Sequence, residues 1–177
     1  MKRETGMKGK NAARQAASYG ILIALAMVMS FVESLIPLPI PVPGAKAGLA
    51  NLVTITGLYL VGIPGTVCVT LLRVVLVGLT FGNPYSMVYG LSGSFLSLLV
   101  MAAAKKYRLF SPVGISILGG VFHNIGQLTF AAVIVETPGL YYYLPALLLA
   151  GCAAGALIGI LGGILTERLG KLLAPGQ

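Results

Sequence analysis

One arginine, Arg73, interrupts the apolar run over residues 64–80, and the single histidine, His123, falls with Asn124 and Gln127 inside the run over 112–135. Arginine cannot shed its proton in a protein, and a cation inside an apolar helix costs a few kcal/mol unless something compensates it. Glu33 and Glu136 are the acids at the matching end of the alternating apolar runs. Arg73 therefore has two readings. It is a structural ion pair with Glu33, or a cation lining a site for an anionic or carbonyl-bearing ligand.

Spacings of three and four link Ser116, Gly120, His123, Asn124 and Gln127, so a helix carries them on one side. One histidine with an asparagine and a glutamine reads as a hydrogen-bonded cluster more readily than as a metal site. Lys46 precedes the run that begins near Leu49, and a helix N-terminus carries partial positive charge. Lys46, the backbone around Gly48 and the Asn51 side chain make a possible anion seat. The alternative is a solvated loop lysine. The candidate substrate-binding set is thus Glu33, Lys46, Asn51, Arg73, Asn83, His123, Asn124 and Gln127. With Glu136, most of it maps to the middle or to one end of the runs, which suggests a pocket opening at that end.

The elements that must position these residues follow from composition. Hydrophobic residues make up 57% of the 177 and charged residues 9%, with a mean hydropathy of +0.95. Soluble domains run nearer a quarter charged, so the outer solvent of this chain is lipid. A bilayer core takes about 20 apolar residues per helix. Six helices are expected, over residues 18–36, 49–61, 64–80, 86–104, 112–135 and 144–165. The second is short for a span. The first is long for a signal peptide and is followed by further spans, so it reads as a retained helix. The fold class is an all-α membrane bundle of six helices, with a basic N-terminus over 1–17, a membrane domain over 18–171 and a short tail over 172–177.

Pro37-Leu-Pro-Ile-Pro-Val-Pro43 has proline at every second position and cannot form a helix through lipid. It belongs in a loop or a protein-lined cavity. Gly62-Ile-Pro-Gly65 and Phe81-Gly-Asn-Pro-Tyr85 read as tight turns, and Tyr141-Tyr142-Tyr143 as an aromatic belt. The net charge of +8 is clustered before the first run, at Lys105, Lys106 and Arg108, and at Arg168 and Lys171. Alternate helices bring those clusters to one side, so both ends of the chain are expected in the cytoplasm of a bacterial cell, with the protein multi-pass in its membrane. With only Tyr107 interleaved among the basic residues, a nucleic-acid surface is not expected. Cys68 and Cys152 have no metal-ligand spacing, and two cysteines cannot supply the four ligands of an iron–sulfur cluster. No cofactor is expected.

Small residues recur at intervals of four on two helices. Gly151, Gly155, Gly159 and Gly163 mark a smooth face on the sixth, and Ala16, Gly20 and Ala24 a shorter one on the first. Such faces let helices approach closely. Internal packing accounts for the sixth helix. On the first, packing and docking of another subunit stand side by side.

The segment Pro37-Leu-Pro-Ile-Pro-Val-Pro-Gly-Ala-Lys-Ala-Gly-Leu-Ala-Asn-Leu-Val53 and the stretch from Arg73 to Gly93 resemble a bacterial membrane family called Gx transporters, often labelled heptaprenyl diphosphate synthase component I. That family is in turn similar to the substrate-binding S components of energy-coupling-factor transporters. The resemblance implies six helices with both ends inside, an outward pocket capped by the loop between helices 1 and 2, and a docking surface on helix 1. Ala16, Gly20 and Ala24 match the last feature loosely. It implies as partners a small-molecule substrate, an ATPase module and a transmembrane coupling subunit. Other relatives suggest a membrane subunit of a flavin- or quinone-linked electron-transfer system with no transport role. A catalytic prenyl diphosphate synthase is excluded on chemistry, because such enzymes hold magnesium through aspartate-rich motifs and this chain contains no aspartate.

Charge placement generates one expected outcome. A reporter fused after Lys105 or at Gln177 should be cytoplasmic, and one inserted at Lys46 or Tyr141 external. Labelling of Lys46 from the cytoplasmic side alone would reverse the orientation.

Overall fold

The computed structural model describes residues 2–35, 48–49 and 51–173, with side chains for 13, 15–35, 48–49 and 51–172. The proline ladder and Lys46 lie outside the described residues. No strand occurs among those described. The elements are α1 (Lys2–Ser34), α2 (Asn51–Leu60), α3 (Gly62–Thr80), α4 (Pro84–Lys106), α5 (Pro112–Ile134), a 3-10 helix (Pro138–Tyr143) and α6 (Leu144–Leu173). Five helical segments are long and apolar enough to cross a membrane: Gln15–Ser34, Gly62–Thr80, Pro84–Lys106, Pro112–Ile134 and Pro138–Leu172. The sixth helix of the expected set, α2, is not. Its 10 residues rise only about 15 Å, half of a bilayer core.

Several boundaries extend past the apolar runs. α1 begins at Lys2 rather than near Ser18. Residues 2–17 hold no proline and are rich in Lys, Arg and Ala, good helix formers that continue a helix once nucleated. α6 runs on past Glu167 to Leu173, with Lys171 Nζ 2.6 Å from Glu167 Oε1 one turn away. Between α2 and α3 the turn is tighter than the Gly62–Gly65 motif suggests. Gly62 takes φ +76°, a left-handed conformation that glycine adopts without steric cost, and α3 begins there. α4 and α5 start at prolines in the first turn, behind caps in which Asn83 Oδ1 accepts from Ser86 N at 2.8 Å and Ser111 Oγ from Gly114 N at 3.3 Å. Hydroxyls within the helices bond back to the preceding turn: Thr56 to Leu52 O, Thr66 to Gly62 O, and Thr166 to Gly162 O, each at 2.7 Å. These three hydroxyls are thereby satisfied within their own helices.

The short α2 occupies the middle. Its Val53 joins Leu22, Ala26 and Val69 in a cluster with α1 and α3. Its Ile55 and Leu58 join Met101, Ala104, Ile115 and Ile158 in a second cluster with α4, α5 and α6. α1 packs on α3 and α2 alone among its substantial contacts, whereas α5 lies between α4 and α6. Leu79, Phe95 and Leu149 stay exposed, as outward residues do when lipid is the solvent.

Glycine sets how closely α5 is held. A β-carbon at Gly120 would fall 2.5 Å from Gly151 O, one at Gly155 2.6 Å from Ile117 Cα, and one at Gly159 2.8 Å from Val113 Cα. On the other side, a β-carbon at Gly126 would fall 2.9 Å from Ser92 O. The α6 stripe is thus covered by α5 over three of its four glycines, while at Gly163 nothing lies within 4 Å. Gly155→Ala should lower stability by about 1–3 kcal/mol, because backbone cannot yield as a side-chain tip does. Gly163→Ala should stay within about 0.5 kcal/mol of the parent. Unfolding of the purified protein in detergent checks both, and equal effects would show that α5 does not sit on the stripe.

Candidate functional site

The chain's two ends differ in chemistry. Lys105, at the end of α4, donates through Nζ to Leu58 O in the last turn of α2 and lies 4.6 Å over the Tyr59 ring. Gly65 near the start of α3 meets Tyr19 of α1, and Gly170 of α6 lies beside Leu60. One end of the bundle therefore gathers the start of α3 and the ends of α2, α4 and α6, with the basic residues of the last two. The opposite end holds the cavity.

That cavity, about 30 Å³ in volume, is lined by Glu33, Asn51, Arg73, Ser86, His123 and Gln127, with Val77 and Met87 among its apolar walls. Glu33 comes from the last turn of α1, Asn51 from the first residue of α2, Arg73 and Val77 from α3, and Ser86 from the first turn of α4. His123 and Gln127 lie one turn apart on α5. All of these polar residues but Ser86 are buried. A void of about 10 Å³, bordered by Asn124 and Gly151, shares Gly48, Asn51 and His123 with it. A larger groove of about 340 Å³ runs outside α3 and α4, but it is almost wholly apolar, with Phe95 and Leu99 on its walls.

Hydrogen bonding separates the roles of the two buried charges. Glu33 Oε1 accepts from Gly48 N and from Leu49 N, the latter at 3.2 Å. These N–H groups immediately precede α2, so the carboxylate sits at the positive end of that helix. Arg73 donates from Nη2 to Ser94 Oγ at 3.0 Å, and no contact ion pair joins it to Glu33 within 4.0 Å. Arg73 Nε has no hydrogen-bond partner.

The structure brings five candidate residues, Glu33, Asn51, Arg73, His123 and Gln127, to one cavity. It takes two others elsewhere. Asn83 is exposed, and its side chain is committed to the cap of α4, with Asn83 N bonded in return to Ser86 Oγ at 3.0 Å. Asn124 turns toward α6, donating to Leu147 O at 2.8 Å. Lys46 lies outside the described residues. The N–H groups that the sequence offers to an external anion around Gly48 are given to Glu33 instead. Ser94 is the residue that sequence reasoning missed. The Ser92-Gly-Ser94 interruption of an apolar run was the available signal, though nothing in its spacing points to Arg73.

Among the described residues, no three of His, Cys, Asp and Glu come together as metal ligands. What the site offers is hydrogen bonding and charge. A family model described as heptaprenyl diphosphate synthase component I matches residues 22–165. The chain belongs to that family, whose description is of one component of a larger assembly. Comparison with curated proteins and comparison with solved structures each returned no match.

Since Glu33 holds backbone rather than the guanidinium, Glu33→Ala should cost about 2–3 kcal/mol and Glu33→Gln, which keeps an acceptor, about 1 kcal/mol. Hydrogen exchange at Gly48 and Leu49 should accelerate in both variants. A double-mutant cycle with Arg73→Ala should give a coupling below about 1 kcal/mol. A larger coupling, with unchanged exchange at those amides, would restore the ion-pair reading.

Proposed function

We propose that the chain is the substrate-binding membrane subunit of an uptake system of the energy-coupling-factor type, taking up a small molecule and relying on separate ATPase and membrane coupling subunits. The observation that carries this reading is the cavity. Five buried polar residues from α1, α2, α3 and α5 converge at the end of the bundle away from the basic clusters. By the positive-inside rule the basic end faces the cytoplasm, so the cavity opens toward the exterior of a bacterial plasma membrane. Polar groups at that depth are costly and mark binding sites or pathways. The sequence has no phosphate-cradling G-x-x-x-x-G-K-[ST] loop, so ATP hydrolysis belongs to a partner. The family's description as a component agrees with a chain that works within an assembly.

The first helix supports the same reading. Ala16, Gly20 and Ala24 are all exposed, and a β-carbon at Gly20 meets nothing within 4 Å. Internal packing does not use this stripe, in contrast to the glycines of α6. A close-packing face left uncovered on a peripheral helix is suited to a partner helix.

Gly20→Leu should therefore leave the unfolding temperature within about 2 °C of the parent, since no neighbour is displaced. Co-purification with an ATPase module and uptake should be abolished. The two readouts belong on one monodisperse sample. Full uptake by Gly20→Leu would remove α1 as the docking surface and, with it, the support that the first helix lends to the transporter reading.

A further inference from the structure

We infer that the cavity is a carboxylate site, in which Arg73 grips an anionic end group of the ligand. This rests on the reading of the cavity as the place where substrate binds, and it narrows the substrate class.

Around Arg73 donors outnumber acceptors. Arg73 is 8% exposed and its guanidinium presents five N–H groups in a fixed fork. Ser94 Oγ accepts from Nη2, while Nε has no acceptor and no bond from Nη1 is formed with the described residues. The nearby carboxylate does not correct this, because Glu33 Oε1 is already taken by Gly48 N and Leu49 N. No oxygen of Glu33 comes within 4.0 Å of an Arg73 nitrogen. The other polar groups on the wall are Asn51, Ser86, His123 and Gln127, none of them a second acid. Among the described residues, what Arg73 lacks is an acceptor for its remaining N–H groups, which an anionic end group would supply. An amine or a metal cation would bring them none.

Size and shape favour a carboxylate among anions. The cavity is small, about 30 Å³ in volume, and the two oxygens of a carboxylate ask for less room than the tetrahedral four of a phosphate or sulfate. The planar fork of arginine is also shaped for a carboxylate, which it binds through paired hydrogen bonds. Small-molecule sites usually measure about 300–1,000 Å³, so the cavity takes only the end group, and the rest of the ligand lies toward its mouth.

Formate is the smallest probe of this class. The detergent-solubilised full chain should bind [13C]formate saturably by NMR line broadening and gain several degrees in unfolding temperature. Formamide, chloride and phosphate at equal concentration should give neither effect. Arg73→Lys keeps the charge but loses the fork, and should weaken formate binding tenfold or more. Val77→Leu keeps every polar group while filling about one methylene of the cavity, and should lose formate binding while remaining folded. It decides the matter if Arg73→Lys does not fold. Equal protection by formamide, chloride or phosphate would overturn the inference, as would undiminished formate binding in Val77→Leu. Failure here and failure of the transport reading are separable. Formate binding in a protein that supports no uptake leaves the carboxylate site standing and removes substrate capture. Gly20-dependent uptake of a ligand with no carboxylate does the reverse.

Discussion

A ten-residue helix inside a membrane bundle is too short to cross it, and the backbone groups at its two ends need partners from the rest of the protein. That constraint governs α2. Glu33 meets its first turn through Gly48 N and Leu49 N, and Lys105 meets its last through Leu58 O. Carboxylate at the N-terminus and ammonium at the C-terminus is the arrangement that the helix dipole favours. The two groups come from α1 and α4, so the same bonds tie opposite sides of the bundle to its centre. Val53 on one face and Ile55 and Leu58 on the other then fill the two apolar clusters. Without the charged caps, a half-length helix at this depth would leave carbonyl and amide groups unmet, at a cost of several kcal/mol each.

The use of Glu33 as a cap has a consequence for Arg73. A bundle that spends its buried acid on backbone leaves its buried cation with one hydroxyl among the described residues. Packing keeps that cation in place. The absence of side chains at Gly93, Gly120, Gly126 and Gly155 lets α5 sit close to both neighbours. A β-carbon at Gly93 would fall 2.6 Å from Gln127 Cγ and 2.8 Å from His123 O. Close approach therefore brings His123 and Gln127 up to the α3–α4 wall where Arg73 lies, and keeps the cavity small. The glycines that read as a packing motif are also what gives the polar site its dimensions.

Much of the architecture was legible because lipid imposes strong rules. Apolar runs, proline breaks and basic clusters mark the helices with little ambiguity, and five of the eight candidate binding residues share the cavity. What was not legible were the pairings across helices. Arg73 and Glu33 look like natural partners by charge alone, but an acid near a helix N-terminus has a competing set of donors in the backbone, and there the backbone wins. Asn83 shows the same competition at short range. An asparagine before Pro84 and three residues ahead of Ser86 is a helix cap by spacing, and that local bond takes its side chain. Asn124 lies next to His123 on the sequence but 100° around the helix, enough to carry it from the cavity wall to α6. Periodicity gave a face, and the face was wide enough to serve two neighbours.

The two glycine-rich stripes show how far a motif can be read without its surroundings. Both place small residues four apart, and both predict close approach by another helix. On α6 three of the glycines are pressed against α5 backbone, so the motif is spent inside the chain. On α1 the equivalent face is bare, since α1 lies at the edge of the bundle against only α2 and α3. Position in the bundle, not the motif, separates a stripe spent on internal packing from one left uncovered. The polar residues follow the same logic. Glu33, Asn83 and Asn124 are each satisfied by the chain's own backbone, which makes them parts of the scaffold. Arg73 is held by that scaffold, yet among the described residues its Nε meets no acceptor, and this difference in hydrogen bonding, more than depth or charge, sets it apart from them.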